Sequence, residues 1–326
     1  MASELVDRFG RIIDYLRLSV TDRCDLRCTY CMPEGFRGYE VPEHWLEFDE
    51  IEKLLGVFAR MGLKRLRITG GEPLLRRNLT ELVSRLSTIP GINDISLSTN
   101  ATQLERYARR LFQAGIKRIN VSLDTLKPGQ FKAIARQDSF DRVMGGLMTA
   151  RDTGFNPIKI NMVVMRGVND DEIDDMVCFC MENHFILRLI EVMPMGETGR
   201  NAHYLNLQPI RARLRAQFNL TDCALPGGGP ARYMQSADGR FALGFITPLS
   251  QHFCETCNRV RLSVEGTLYM CLGQNHKMEF RDLLRNGAAS SDLENLIRKA
   301  IELKPERHEF LEVPDKITRI MAKTGG

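Results

Sequence analysis

The feature that most constrains the fold of this chain is a sixfold alternation of strand-like and helical segments before residue 194. Because neighbouring parallel strands are joined by long crossovers, usually helices, this alternation predicts a parallel sheet. Six units are too few for a closed eight-stranded barrel, so an open partial barrel and an open twisted sheet both fit. The predicted strands are residues 15–20, 65–69, 94–99, 117–123, 157–164 and 186–193.

The segment between the first two predicted strands has the pattern of an amphipathic helix. Its apolar residues recur at helical spacing, at Ile51, Leu54, Leu55 and Phe58. Asp49 is the predicted N-cap, and Glu52 is the predicted acid of a capping box. We therefore expect this helix to cover one face of the sheet.

The strands themselves carry polar residues on one face and apolar residues on the other. Alternation places on the polar face Arg67 and Thr69, Asn120, Ser122 and Asp124, Lys159 and Asn161, and Glu191 and Met193. The centre of a packed barrel is filled with branched apolar side chains instead. The polar face therefore predicts an interior that is filled by ligands, although a solvated sheet edge is an alternative.

The character of the chain changes after Met193, where glycines and prolines become frequent. Short strand-like runs follow at residues 231–235, 241–246 and 260–264, and helical periodicity returns at 278–285 and 291–303. The change predicts a domain boundary within residues 197–204. We expect a first domain of residues 1–196 and a smaller C-terminal α+β domain of residues 197–326.

Composition excludes several classes of protein. The net charge is only +4, from 45 basic and 41 acidic residues, and no tract of Lys and Arg is present, so a nucleic-acid binder is not expected. No apolar run approaches the length of a membrane span, and the N-terminal residues do not resemble a secretory signal. These features predict a cytoplasmic protein.

The first group of cysteines, Cys24, Cys28 and Cys31, directly follows the first strand. The chain has nine cysteines, an odd number that argues against a disulfide framework. Three thiolates within eight residues can hold a 4Fe-4S cubane whose fourth iron is left open to a small molecule. A zinc site is the alternative, with His44 as the one nearby histidine. Gly70 and Gly71 follow the second strand, where glycine lets the backbone approach a ligand closely.

A second group of cysteines, Cys254, Cys257 and Cys271, lies near the other end of the chain. From spacing alone, an iron–sulfur cluster and a zinc site are equally compatible with this group. The fourth ligand of a zinc site would be one of His252, His276 and Cys223.

Five cationic residues occupy predicted ligand-facing positions: Arg17, Arg67, Lys159, Arg259 and Arg261. Guanidinium groups that share one face suit phosphate oxygens, which they bind bidentately. A nucleoside triphosphate carries about four negative charges, so the charge of these side chains would nearly match it.

Taken together, these motifs resemble the GTP 3′,8-cyclase family of the radical S-adenosylmethionine (SAM) superfamily over nearly the whole chain. The resemblance implies an α/β fold, namely an incomplete (β/α)6 barrel of radical SAM type, with the smaller C-terminal domain carrying an auxiliary cluster. It implies two 4Fe-4S clusters, each with three cysteine ligands, the first of which binds SAM and the second of which binds guanine. The implied metal ligands are Cys24, Cys28, Cys31, Cys254, Cys257 and Cys271.

The resemblance also implies roles for further residues. SAM contacts fall on Tyr30, Gly71, Ser122 and Met193. Nucleotide contacts fall on Arg17, Arg67, Thr99, Lys159, Arg259, the main chain of Val260, and Arg261. Catalytic roles fall on Arg17, Arg259, Arg261 and the terminal pair Gly325 and Gly326, which in the family enters the active site. The alternative for the terminal pair is an unordered tail.

The implied activity is that of a lyase in molybdenum cofactor biosynthesis, which turns GTP into 3′,8-cyclo-7,8-dihydro-GTP. The implied partners are cyclic pyranopterin monophosphate synthase downstream and a reductant protein such as flavodoxin or ferredoxin, and a homodimer is also compatible. Two alternatives remain from the residues alone. One is a radical SAM enzyme that modifies peptide or RNA, and the other is a zinc-stabilised scaffold without enzymatic activity.

Overall fold

The computed structural model describes residues 4–325 of the protein. Its strands are β1 (Tyr15–Ser19), β2 (Arg65–Thr69), β3 (Asp94–Thr99), β4 (Arg118–Ser122), β5 (Ile158–Val164), β6 (Ile186–Glu191), β7 (Thr221–Cys223), β8 (Arg232–Gln235), β9 (Ala242–Ile246), β10 (Arg259–Leu262), β11 (Thr267–Tyr269) and β12 (Lys277–Glu279). Its helices are α1 (Phe48–Arg60), α2 (Leu79–Ser87), α3 (Leu104–Gln113), α4 (Pro128–Ala135), α5 (Phe140–Thr153), α6 (Ile173–Glu182), α7 (Gly196–Asn201), α8 (Gln208–Gln217), α9 (Arg281–Arg285), α10 (Ser290–Glu302) and α11 (Met321–Thr324).

Within residues 4–325, the strands form a single sheet in the order β12-β11-β10-β1-β2-β3-β4-β5-β6-β9-β8-β7. The run from β1 to β6 is parallel, as the sequence predicts, and each predicted strand overlaps an observed one. The sheet continues in parallel beyond both edges of this run, because β10 pairs with β1 and β9 pairs with β6. Antiparallel pairs, β10 with β11 and β9 with β8, then lead to the two outer edges.

Strands from the C-terminal part of the chain thus share the sheet of the N-terminal part. The sequence predicts β8, β9 and β10 but not β7, β11 and β12, and it does not predict that these strands extend both edges of the partial barrel. The predicted division into residues 1–196 and 197–326 therefore stays a prediction, since α7 occupies the proposed boundary and the sheet crosses it.

The outer face of the sheet is apolar and is covered by helices. Leu16, Leu66, Leu97, Ile119 and Ile160 are fully or almost fully buried in one continuous hydrophobic core with the helices. The residues on the other face are polar, so the two faces differ in the way that the alternation predicts.

Helix α1 follows the predicted periodicity but begins one residue before the predicted N-cap. Its apolar residues Leu54 and Phe58 are fully buried. The main-chain N–H of Glu47 donates to Glu50 Oε2 at 2.7 Å, so the capping box uses this pair. The predicted cap residues, Asp49 and Glu52, instead accept hydrogen bonds from Arg85 of α2. The prediction of Asp49 as N-cap is wrong because a second acidic pair lies two residues earlier.

Replacing the fully buried Phe58 by alanine should destabilise the protein by about 3–5 kcal/mol, because the change leaves a cavity under α1. The free energy of unfolding of iron-free protein in urea measures this loss. Arg60→Ala on the same helix is the matched control: Arg60 is exposed and pairs with Glu294 at 3.7 Å, so its loss should cost no more than about 1 kcal/mol. Equal effects of the two substitutions would contradict the packing described here.

Candidate active site

The loop after β1 brings the first three cysteines to the carboxyl end of the sheet. Cys24, Cys28 and Cys31 all line one cavity of about 200 Å³. The loop is folded back on itself, since the N–H of Cys31 donates to the carbonyl of Cys28 at 2.9 Å. Two further main-chain bonds, from Arg27 to Ala135 and from Thr29 to Ile134, hold the loop against the end of α4. Ligands of parallel α/β sheets bind at this end of the strands.

The electrostatic environment of these thiols disfavours free thiolates. Burial raises the pKa of Cys31 to about 11, and burial together with the charges of Asp124, Cys31 and Cys24 raises the pKa of Cys28 well above its usual range. A bound cation reverses this effect, because coordination deprotonates a thiol outright. The three side chains are near enough to influence one another and have few charges to stabilise them as thiolates, so they fit a cationic metal centre.

Among the residues that the structure describes, no three His, Cys, Asp or Glu side chains are grouped for a single metal ion. In an iron–sulfur cubane, each thiolate binds a different iron, so its ligands need not meet at one point. All nine cysteines lie within residues 4–325 and are free thiols. His44, the predicted nearby histidine of a zinc site, lies beside Glu40, with 3.6 Å between Nδ1 and Oε2.

The four residues predicted to contact SAM line the same cavity as the cysteines: Tyr30, Gly71, Ser122 and Met193. Thr99, predicted to contact the nucleotide, lines it too. A Cβ atom at Gly71 would lie 2.3 Å from the carbonyl oxygen of Arg23, so only glycine fits there. The close approach that this glycine allows is therefore to the cysteine loop of the chain itself.

Glu72 connects this loop to the neighbouring strand. Its buried carboxylate accepts hydrogen bonds from Thr99 Oγ1 at 2.8 Å and from the N–H groups of Asn100 and Leu74 at 2.6 and 3.0 Å. Asn100 in turn places Nδ2 3.8 Å from Cys24 Sγ. Burial raises the pKa of Glu72 to about 7 despite these bonds. Thr99 therefore has a structural partner in addition to its place in the cavity.

Tyr30 is held by a residue to which the sequence assigns no role. Its hydroxyl donates to Asp124 Oδ2 at 2.8 Å, and Asp124 Oδ1 accepts from the N–H of Val163, also at 2.8 Å. Burial raises the pKa of Asp124 to about 6. Asp124 was predicted to share the polar face with Ser122, and that alternation is the signal by which its role could have been found.

The interior of the barrel contains a row of cations at matching heights on adjacent strands. Arg261 of β10 is in register with Arg17 of β1, and Arg17 is in register with Arg67 of β2. Lys159 of β5 aligns with Asn120 of β4. Arg17, Arg67 and Lys159 are buried, and Arg261 is half-buried. The side chain of Val260 is buried on the outer face, so only its main chain is available to the interior.

These cations repel one another, and the repulsion destabilises their charged forms. Burial and the charges of Arg261 and Arg67 lower the pKa of Arg17 well below its usual range. Burial and the charge of Arg259 lower the pKa of Arg261 to about 9, and burial together with Arg188 and Arg118 lowers that of Arg67 to about 10. A cluster of buried cations of this kind favours the binding of a polyanion.

A second cavity, of about 420 Å³, lies at the amino end of the strands and contains cations that the sequence analysis missed. Arg118 and Arg188 line it beside Arg67 and Lys159. Arg188 Nε donates to Asn161 Oδ1 at 2.8 Å, and Lys159 Nζ donates to the hydroxyl of Tyr233 at 3.2 Å. The row of cations therefore continues across the barrel.

The predicted sidedness of β6 is wrong, which is why Arg188 was missed. Arg188 is in register with Asn161 and faces the interior. Glu191, which was predicted to face the ligand, accepts instead from the N–H groups of Leu207 and Ser250 at 3.2 and 3.0 Å. Strand β6 ends at Glu191, so Met193 lies beyond the strand and reaches the cavity from the segment that follows. Because the alternation of the strand does not extend to Met193, counting back from it in steps of two assigns Glu191 to the wrong face.

The second group of cysteines surrounds the start of β10. The charges of Cys257 and Cys271 both act on Cys254, so the three thiols are neighbours. Burial would raise the pKa of Cys257, but the positive charges of Arg259 and Lys304 lower it to about 6. Arg259 Nη2 lies 3.7 Å from Cys257 Sγ. Cys257 is thus the best prepared of the six cysteines to carry a thiolate, whereas burial raises the pKa of Cys254 and that of Cys271. The three thiols together fit a metal cluster.

The residues proposed as a fourth zinc ligand make other contacts. His252 lies beside Glu255, with 3.7 Å between Nδ1 and Oε1. Cys223 lines the second cavity, at the amino end of the strands, together with Arg67. His276 is exposed.

The C-terminal tail enters the barrel between the two groups of cysteines. Arg261 Nη1 donates to the carbonyl of Gly325 and, at 3.3 Å, to that of Thr324. A Cβ atom at Gly325 would lie 2.4 Å from Thr69 Cγ2, and its φ of +73° also favours glycine. Gly326, the other predicted residue of the pair, lies outside the described residues. Gly325 is thus held by Arg261 and Thr69 rather than loose in solvent.

The buried carboxyl of Glu72 predicts a pH-dependent stability. Because its folded-state pKa of about 7 exceeds the ordinary value of 4.5, the folded state binds the additional proton. Its contribution to stability is therefore complete below pH 4.5 and is lost as the pH rises through 7, a change of about 3 kcal/mol. Urea unfolding of iron-free protein should show this slope, and Glu72→Gln should remove it. The exposed Glu81→Gln on α2 should leave the slope unchanged; a slope that persists in Glu72→Gln would exclude Glu72 as its source.

Comparison with known proteins identifies two families along the chain. A model of the radical SAM superfamily matches residues 18–180, which is half of the chain. A model described as Molybdenum Cofactor Synthesis C matches residues 185–310. The first match ends six residues before the start of β6, and the second begins one residue before it.

Curated relatives match the chain over its full length. A GTP 3′,8-cyclase of Rhizobium etli is 44% identical, and the match covers 100% of this chain and 95% of the relative. A GTP 3′,8-cyclase of Marinobacter nauticus is 43% identical, with 99% of each chain covered.

A solved structure supports the fold assignment. The crystal structure of Streptococcus suis SuiB bound to S-adenosylmethionine superposes with a TM-score of 0.63, covering 89% of this chain and 69% of that chain. At 18% identity this likeness concerns the fold alone; together with the match to the radical SAM superfamily model, it confirms the predicted fold of radical SAM type.

Proposed function

The chain belongs to the GTP 3′,8-cyclase family of radical SAM proteins, and from this premise we propose that it converts GTP to 3′,8-cyclo-7,8-dihydro-GTP in molybdopterin biosynthesis. The observation that carries the proposal is the row of interior cations between the two groups of cysteines. Their mutual repulsion is relieved by a bound polyanion such as a triphosphate.

In this proposal, each group of cysteines holds one 4Fe-4S cluster and leaves one iron open. Cys24, Cys28 and Cys31 hold the cluster next to SAM. The residues that contact SAM line the same cavity as these cysteines: Tyr30, Gly71, Ser122 and Met193. When bound, this cluster and SAM supply the radical chemistry that removes the 3′ hydrogen of the ribose. Cys254, Cys257 and Cys271 hold the second cluster, to which the guanine is bound.

The chain itself positions the substrate and excludes water. Arg17, Arg67 and Lys159 hold the triphosphate, and Arg188 adds a further cation from β6. Arg259 and Arg261 lie where β10 passes the second group of cysteines, so they orient the nucleotide between phosphates and guanine. Gly325, packed against Thr69 and bonded to Arg261, closes the interior beside the reacting ribose.

The partners follow from this chemistry. The cyclised nucleotide requires a downstream cyclic pyranopterin monophosphate synthase, and the first cluster requires a low-potential donor such as flavodoxin or ferredoxin. Among residues 4–325, no helix is both long and apolar enough to cross a membrane. Free thiols at all nine cysteines suit the reducing cytoplasm, where we propose that the protein works. A homodimer stays a prediction.

The activity is tested with anaerobically reconstituted protein, SAM, dithionite and GTP. We expect 5′-deoxyadenosine and a cyclised GTP product in equal amounts, and we expect neither from Cys31→Ala. GTP should also compete with a peptide or RNA substrate if either is turned over. Formation of deoxyadenosine that does not depend on GTP, without a cyclised product, would contradict the assignment of the substrate.

The two-cluster assignment is tested by counting iron and sulfide. Wild-type protein should bind about eight irons, and Cys271→Ala should lose about half of them while it keeps the first cluster. Cys178→Ala is the matched control, because this exposed thiol on α6 is not a proposed ligand of either group. Zinc without sulfide at the second group would favour the scaffold alternative for that site.

A further inference from the structure

Lys304 is a fully buried lysine that none of the sequence motifs includes. It lies two residues beyond the end of α10, and only 2% of its surface is exposed. Its Nζ donates to the carbonyl oxygens of Arg259 and Met270, both at 2.8 Å, and lies 3.7 Å from Cys257 Sγ. A lysine in such a position is rare, because the buried ammonium group gives up its hydration.

The contacts of Lys304 join the segments that carry the second group of cysteines. Arg259 follows Cys257 by two residues, and Met270 directly precedes Cys271. The third segment is reached through the neighbours of Lys304. Arg11 donates to the carbonyl oxygens of Pro305 and Glu306 at 2.6 and 2.7 Å and, at 2.8 Å, to that of Cys254. Residues 304–306 therefore connect all three cysteines of this group.

The hydrogen-bond partners of Lys304 within residues 4–325 do not fully balance its positive charge. Two carbonyl dipoles and one thiol are its hydrogen-bond partners within residues 4–325, and neither carbonyl carries a full negative charge. A buried cation is costly unless an anion compensates it. Three thiolates on a 4Fe-4S cluster give a centre with net negative charge, and one-electron reduction makes that charge larger. Because Lys304 lies beside Cys257, it would lie next to this centre.

We infer that Lys304 is a positioning residue for the second cluster, which it fixes by joining the strand and loop that carry Cys257 and Cys271. Its positive charge also stabilises the reduced state of this cluster relative to the oxidised state. The inference rests on the proposed function in one respect, namely that Cys254, Cys257 and Cys271 hold an iron–sulfur cluster.

The test is a dye-mediated redox titration of the reconstituted holoenzyme, with dithionite as reductant and without SAM or GTP. Electron paramagnetic resonance follows the two cluster signals, which Cys31→Ala and Cys271→Ala assign to their sites. The variants are Lys304→Met, which keeps the length of the side chain but removes the charge, and Lys304→Arg, which keeps the charge. Lys299→Met, at an exposed position of α10, is the matched control.

We expect Lys304→Met to shift the potential of the second cluster to a more negative value, or to lose that cluster and with it about half of the bound iron, while the first cluster is unchanged. Lys304→Arg should keep the cluster and stay closer to the wild-type potential. Lys299→Met should match the wild type.

Three results would overturn the inference: an unchanged second potential at full iron content, a shift to a more positive value, or equal loss of both clusters. Failure of the proposed function gives a different result. In that case the wild type itself would contain no second iron–sulfur signal, or would carry both clusters and not cyclise GTP.

Discussion

Repulsion between cations in the interior of the partial barrel is the interaction on which the rest of this structure depends. Arg17, Arg67 and Arg261 stand side by side on adjacent strands, where burial and neighbouring positive charges lower their pKa values. A protein core usually gains stability from apolar packing, which the charged side chains of this interior do not provide. The outer face supplies it instead, where an almost continuous apolar layer lies against the helices. The inner face is thereby available for ligands.

The course of β10 determines how the two groups of cysteines are related. Because β10 pairs in parallel with β1, Arg259 and Arg261 align with Tyr15 and Arg17, and the second group of cysteines is brought to the edge of the barrel. The segment that follows Arg319 then crosses back to Thr69. Arg319 holds its start by donating to the carbonyls of Cys271 and Gln274 at 3.2 and 2.7 Å. The active site is thus assembled from parts of the chain that are far apart in sequence.

Much of this arrangement was predictable from the sequence, because it follows from local sequence patterns. Alternation of strands and helices gave the parallel run, and spacing singled out the six cysteines. The resemblance added the SAM contacts, which the structure brings to one cavity; their roles stay proposals. Features that depend on pairing over long distances were not predictable in this way. Nothing in residues 242–262 indicates that β9 and β10 join opposite edges of the same sheet. Arg188 was missed through an error of one residue in register, and Lys304 because a single lysine after a helix has no distinguishing pattern.

The pairing of β1 with β10 has a consequence for biosynthesis. The first strand emerges from the ribosome early, whereas its partner at residues 259–262 follows more than 240 residues later. Until then, one edge of the nascent sheet presents unpaired main-chain groups to solvent and to other chains. Contacts between such distant residues also slow folding. Edge-to-edge association of nascent chains is therefore a hazard until β10 has been synthesised.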